Sequence, residues 1–177
     1  MKTAVIIIIC VLALLIVFAM LKRKAKVTMT NQPLYAISKN GFLGFVIGDT
    51  FKFVWSRINH LGLMNQKEMD EFKRNMEVMQ MMGIGSNTIH MAKNKFEEID
   101  SISMGFDGRN CLNSIMVYVK DKPNTTAKEY MKEIRDKYVN LLGEPIVNSD
   151  SVYQWAFKDV LIVLCYADNQ ILLHIYN

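Results

Sequence analysis

The sequence predicts an α+β protein. An N-terminal transmembrane helix precedes about three helices packed on one face of an antiparallel sheet of about five strands. Three observations carry that prediction. Residues 3–21 are an unbroken apolar run. Three later stretches repeat apolar residues at helical spacing behind capping residues. Five further stretches alternate at period two, or run apolar for a strand's length between turn residues, as a hairpin and a C-terminal three-stranded meander. The expected divisions are a transmembrane anchor over 1–21, a basic and polar juxtamembrane linker over 22–40, and a globular α+β domain over 41–177.

Residues Thr3 to Leu21 hold no charge and no proline. At about 1.5 Å per residue a helix of this length spans about 28 Å, close to the hydrocarbon thickness of a bilayer. The run of Ile6, Ile7, Ile8 and Ile9 is a poor helix in water. In lipid a single segment must satisfy its own backbone, which selects helix. Lys22, Arg23, Lys24 and Lys26 follow as a stop-transfer cluster whose cations lie at the membrane surface. The partner of this segment is the lipid bilayer. The positive-inside rule then puts the C-terminal domain on the cytoplasmic side, because the N-terminal flank offers only Lys2 and the amine. The competing reading is export, with signal-peptide cleavage near Ala19, where Val17 and Ala19 supply small residues. Against it stand the length of the run and the basic cluster that would begin the mature chain. A lipoprotein is not expected, since Cys10 follows Ile9 rather than a small residue.

The linker lacks apolar periodicity and contains Pro33. A first helix is expected from Asp49 or Thr50, with Phe51, Val54, Trp55, Ile58 and Leu61 on one face and Gly62 beyond its end. A second runs from Gln66 to Met82, with Asn65 and Glu68 at capping spacing and Met69, Phe72, Met76 and Met79 along a stripe. Residues 84–95 fit neither period. A hairpin follows: Ile102, Met104 and Phe106 alternate, Asp107 and Gly108 turn the chain, and Ile115, Val117 and Val119 return on one face. Thr126 and Glu129 form a capping box before a third helix striped by Tyr130, Ile134, Tyr138, Leu141 and Leu142; Gly143 ends it and Pro145 bars its return. The meander is Val152 to Lys158, Val160 to Tyr166 and Ile171 to Tyr176, with the nearly all-apolar middle segment expected at the centre of the sheet. Leu-Gly helix ends at 61–62 and 142–143, each ahead of strands, raise an internal duplication as an option.

The stretch from Leu141 to Pro145, reading LLGEP, and the strands YQWAFKDVLIVLCYADNQILLHIY after it resemble small membrane-anchored or secreted bacterial α+β modules. They are similar in outline to SmpA/OmlA-type outer-membrane assembly lipoproteins and the wider inhibitor-like two-layer group. GFVIGDTFKFVWSRINHLGL resembles the entry segment of uncharacterised gut-bacterial proteins. The resemblance covers residues 41–62 and 99–177, and implies a non-enzymatic binding or assembly module. The chain departs from those lipoproteins in lacking a lipobox cysteine.

Charge narrows the partners. The formal net charge is +4, but residues 1–26 hold five of the 21 basic residues and no acid. The remaining 16 face 17 acidic residues, so 27–177 carries −1. Nucleic-acid binding is not expected, because such domains neutralise phosphates with a basic surface.

No catalytic, cofactor-binding or metal site is expected. Cys111 and Cys165 fall in strands and Cys10 in the anchor, without zinc spacing. The two strand cysteines read as small buried hydrophobes, or as a disulfide if the domain is exported. Cys165 and His174 fall on neighbouring strands, but the apolar setting disfavours a thiolate. His60 suits a helix C-terminus, and His90 has no partner at motif spacing. Glu97 with Glu98, and Asp150 with Asp168, read as solvated carboxylates. Gly83 to Asn87 lacks the lysine of a phosphate loop and follows a helix. Among the 13 methionines, Met69, Met76 and Met79 read as core. Met81 and Met82 lie off the stripe and are the candidate partner surface, methionine being adaptable; Cu(I) binding by thioethers is the other option. The expected function is a non-catalytic protein-interaction or assembly module on a single-pass anchor, its protein partner unidentified. The alternative is a membrane-tethered enzyme or ligand-binding domain built from scattered polar residues.

Overall fold

A computed structural model describes residues 32–81, 87–91, 95–167 and 169–177. The anchor, the basic cluster at 22–26, Cys10 and Met82 lie outside the described residues. Among those described, no helix is long and apolar enough to cross a membrane.

The domain is α+β with three helices and two antiparallel sheets. A 3-10 turn (Pro33–Tyr35) leads into a small meander of β1 (Ile37–Ser38), β2 (Gly41–Phe42) and β3 (Phe45–Val46). Leu43 and Gly44 both have positive φ, as a two-residue type I′ hairpin requires. Gly41 is forced: a Cβ there would collide with the Phe45 carbonyl. Then come α1 (Phe51–His60), α2 (Gln66–Met81), β4 (Asn87–Met91), β5 (Ile99–Phe106), β6 (Leu112–Val119) and α3 (Ala127–Leu142). The chain closes with β7 (Val147–Asn148), β8 (Val152–Phe157), β9 (Val160–Ala167) and β10 (Gln170–Tyr176).

The large sheet has seven strands in the order β4-β5-β6-β10-β9-β8-β7. The expected hairpin and meander supply five of them. The C-terminal strand β10 lies at the centre and joins the two, pairing with β6 on one side and β9 on the other. The expectation that β9 is central is corrected. β9 is apolar along its length because both faces of the sheet carry apolar side chains there: Ile162 and Leu164 in the core, Leu161, Val163 and Cys165 half-buried opposite.

Two further differences concern the N-terminal part. Residues 33–40, expected in the linker, are packed: Leu34 is fully buried and its carbonyl accepts the Tyr138 hydroxyl at 2.8 Å. The packed domain therefore takes in the segment from Pro33 onward. One buried leucine in a polar stretch has no periodicity to reveal it. The ambiguous 84–95 segment contains β4, an edge strand paired with β5.

Two of the three helices begin with a reciprocal side-chain cap. Thr126 and Glu129 make the full capping box of α3, and Gly143 (φ 91°) ends it. Asn65 and Glu68 bond reciprocally at the start of α2. At α1 the Thr50 side chain makes no cap bond, and the Asp49 carboxylate accepts from Val46 N–H at 2.8 Å instead. The core lies between one face of the large sheet and α1, α3 and the small meander. Its largest members are Trp155 and Tyr138, rings edge-on at 6.0 Å. The Trp155 indole donates to the Gly143 carbonyl at 2.8 Å, satisfying a group freed by the helix end. Leu141, expected on the stripe, is half exposed, and Met131 takes the buried place.

Candidate functional site

The other face of the large sheet is built by strand alternation alone. Residues directly opposite across antiparallel neighbours share a face. One row runs Ser101, Tyr118, Leu172, Cys165, Val152; the next runs His90, Ser103, Met116, His174, Val163, Gln154. Leu172, Met116, Val163 and Cys165 at the middle of these rows are half-buried and stand outside the core cluster. The centre of this face is thus apolar and carries no lysine, arginine or carboxylate in either row. His174 tilts against Tyr176 with ring centroids 4.4 Å apart, and burial lowers its pKa below the ordinary imidazole value.

At the β4 side this face runs into a cleft of about 630 Å3. Helix α2 forms one wall with Met64 just before it; β4, β5 and β6 form the other. The helix reaches this place because Phe72 stacks on Trp55 at 5.1 Å and on Phe51 at 6.3 Å, and Phe51 meets Phe106 at 5.1 Å. The lining mixes thioethers and aromatics (Met64, Met76, Met91, Phe72) with three carboxylates, Glu68, Glu71 and Asp100. Among the described residues no lysine or arginine lines it. The volume falls in the range of small-molecule and peptide pockets.

Inside the cleft His90 Nδ1 and Ser103 Oγ are 2.6 Å apart, a directly opposed cross-strand pair. A nucleophilic serine needs a base, and this geometry offers one. It also needs donors for an oxyanion. Ser103 sits within β5, paired on both sides by β4 and β6, so the backbone around it is committed to the sheet. The pair links β4 to β5 across the cleft wall. Ser103 is the one buried polar residue among those described, and His90 satisfies it.

The other expected residues are dispersed. Cys111 and Cys165 are both free thiols, Cys165 sharing its row with Tyr118 at the far end of β6 from Cys111. Burial pushes the Cys165 thiol up and the His174 imidazole down, the reverse of a thiolate–imidazolium pair. Asp150 pairs with Lys128 at 2.5 Å on the exposed surface. Met81 is 83 % exposed and Met76 lines the cleft, whereas Met69 is buried. Among the described residues no group of three or more His, Cys, Asp or Glu could hold a metal ion. Sequence reasoning missed Met64, His90, Met91, Asp100 and Ser103 as cleft residues. The signal available was weak: polar residues at 101 and 103 alternating with the apolar face of β5.

No protein family, no curated protein and no solved structure matches the chain.

Proposed function

We propose that the chain is a single-pass, membrane-anchored protein whose α+β domain is a non-catalytic protein-interaction or assembly module. One observation carries the reading: the apolar middle of the large sheet's outer face, around Met116, Leu172, Val163 and Cys165, continuous with the cleft beside α2. Contiguous apolar surface rimmed by polar residues marks interaction sites. The committed backbone around Ser103 and the half-buried Cys165, whose thiol pKa burial raises, argue against covalent catalysis. The anchor over residues 3–21 and the cytoplasmic placement rest on the apolar run and the cluster Lys22, Arg23, Lys24 and Lys26.

The test places a photo-crosslinking amino acid at Leu172, and as control at Lys132 on the exposed side of α3, in native membranes. One defined adduct from Leu172 and none from Lys132 is expected. Equal, diffuse labelling from both positions refutes the interaction reading. Protease protection of a C-terminal tag in spheroplasts tests the side of the membrane; protection at full length is expected. Digestion would place the domain outside, as after cleavage near Ala19.

The cleft favours a second reading, a small-ligand-binding domain. A fluorescence thermal-shift screen distinguishes it, since a small ligand that stabilises the chain in proportion to its occupancy needs no protein partner.

A further inference from the structure

The two edges of the large sheet are protected unequally. At one end β7 is two residues long, and Pro145 stands just before it. Short edges and nearby prolines are the usual devices against strand addition. At the other end β4 spans five residues, Asn-Thr-Ile-His-Met, with no charge and no proline. Among the described residues no other strand pairs with its outer edge. In an antiparallel edge strand every second residue directs its N–H and C=O away from the sheet. This edge is the one that lines the cleft, through Thr88, His90 and Met91.

The opposite wall states the chemistry of what fits there. Among the described residues Glu68, Glu71 and Asp100 carry three carboxylates against no lysine or arginine, while Met64, Phe72 and Met76 supply an apolar, deformable floor. Glu68 Oε2 is held by Asn65 N–H, but no ion pair occupies Glu71 or Asp100 among the described residues. Strand addition draws its affinity from main-chain bonds and its specificity from pockets for alternate side chains. An occupant therefore needs an extended backbone, apolar residues at every second position and cations between them.

We propose that a basic, extended segment of a partner protein docks in this cleft as an eighth strand along β4, its apolar side chains on the methionines and its lysines or arginines against Glu71 and Asp100. This rests on the interaction-module reading and names the partner's chemistry for the cleft end of that surface.

The probe is an end-capped fluorescent peptide alternating lysine and valine, titrated by anisotropy against the full chain in nanodiscs. Its counterpart carries glutamate for every lysine. Two further versions are N-methylated on one or the other set of alternate amides. The lysine peptide is expected to bind at least tenfold tighter than the glutamate peptide and to weaken with salt. One N-methylated version should lose binding and the other retain it, because only one edge of the added strand meets β4. Glu71→Lys, an exposed position, should weaken the lysine peptide about tenfold, and Asp100→Asn less. Equal binding of lysine and glutamate peptides, or insensitivity to both methylation patterns, overturns the proposal without depending on any variant's folding. A photo-crosslinker at Thr88 separates the two readings. A partner captured from Leu172 but never from Thr88 leaves an interaction module and removes strand addition at β4. No adduct at either position removes both.

Discussion

Helices α2 and α3 are each 16 residues long and begin with the same reciprocal capping device. Their fates differ. α3 buries Tyr130, Met131, Ile134, Tyr138 and Leu142 against the sheet and the Pro33–Tyr35 turn. α2 buries Met69 and leans on α1 through half-buried Phe72, and its other side faces the cleft. Caps decide where a helix starts; tertiary packing decides how firmly it is held. A helix held, among its described side chains, by the stacking of one half-buried ring on α1 and one buried methionine opens at lower free energy than one set in a core.

The comparison can be broken at its strongest point first. Trp155→Ala removes the largest buried side chain and its bond to the Gly143 carbonyl, and should cost about 3–5 kcal/mol in denaturant unfolding. Phe72→Ala should cost about 1–2 kcal/mol, since the ring is half-buried. Its effect should concentrate in the exchange of α2 amides, with those of β8 to β10 unchanged. Equal costs would show that α2 belongs to the same cooperative unit as α3. A comparable step is Tyr138→Phe, which leaves the Leu34 carbonyl without its donor and should cost about 1–3 kcal/mol. It should also speed exchange around β1, because that bond ties the turn at residue 33 to α3.

The caps sharpen the contrast at still lower cost. Thr126→Ala should lower global stability by about 1 kcal/mol. Asn65→Ala removes the matching bond at α2, yet should appear chiefly as faster α2 exchange with a smaller shift of the unfolding midpoint.

The smallest effect is electrostatic. Burial lowers the His174 pKa below the ordinary 6.5. Met116 and Val163 flank it across the sheet, Leu172 and Tyr176 along its own strand, none of them charged. As pH falls through 6.5 the unfolded chain takes up its proton before the folded one, so stability declines down to the folded pKa and is level below it. His174→Gln should flatten that part of the pH–stability profile, read by urea midpoints at successive pH values.

Much of this fold was legible in the sequence. The Thr126–Glu129 box, the Gly143 stop, the Asp107–Gly108 turn and the alternation of β8 are short-range signals, and each appears where expected. The turn is completed by Asn110 at φ 57°, with the Asp107 carboxylate accepting from the N–H groups of Arg109 and Cys111. The packed segment around Leu34 was not legible, because its partner Tyr138 lies more than a hundred residues away and a lone leucine has no period. Nor was β4, whose five residues are too few and too mixed to separate from a loop. The cleft was legible only as scattered residue types. Met64, Met76, Met91 and Asp100 come from separate elements and share no spacing.

The sequence by itself determined the starts of α2 and α3, the stop of α3, the turn at Asp107 and Gly108, and which face of β5, β6 and β8 enters the core, because capping bonds, left-handed turn positions and period-two burial all act within a few residues. Only the tertiary structure decided that β10 sits between β6 and β9, that β4 and β7 become the sheet's edges, and that α2 stands off from β4 far enough to leave a cleft. Those outcomes are pairings between distant segments. They follow from which arrangement buries the most apolar surface while satisfying every strand edge it can, a comparison over the whole chain that no local pattern encodes.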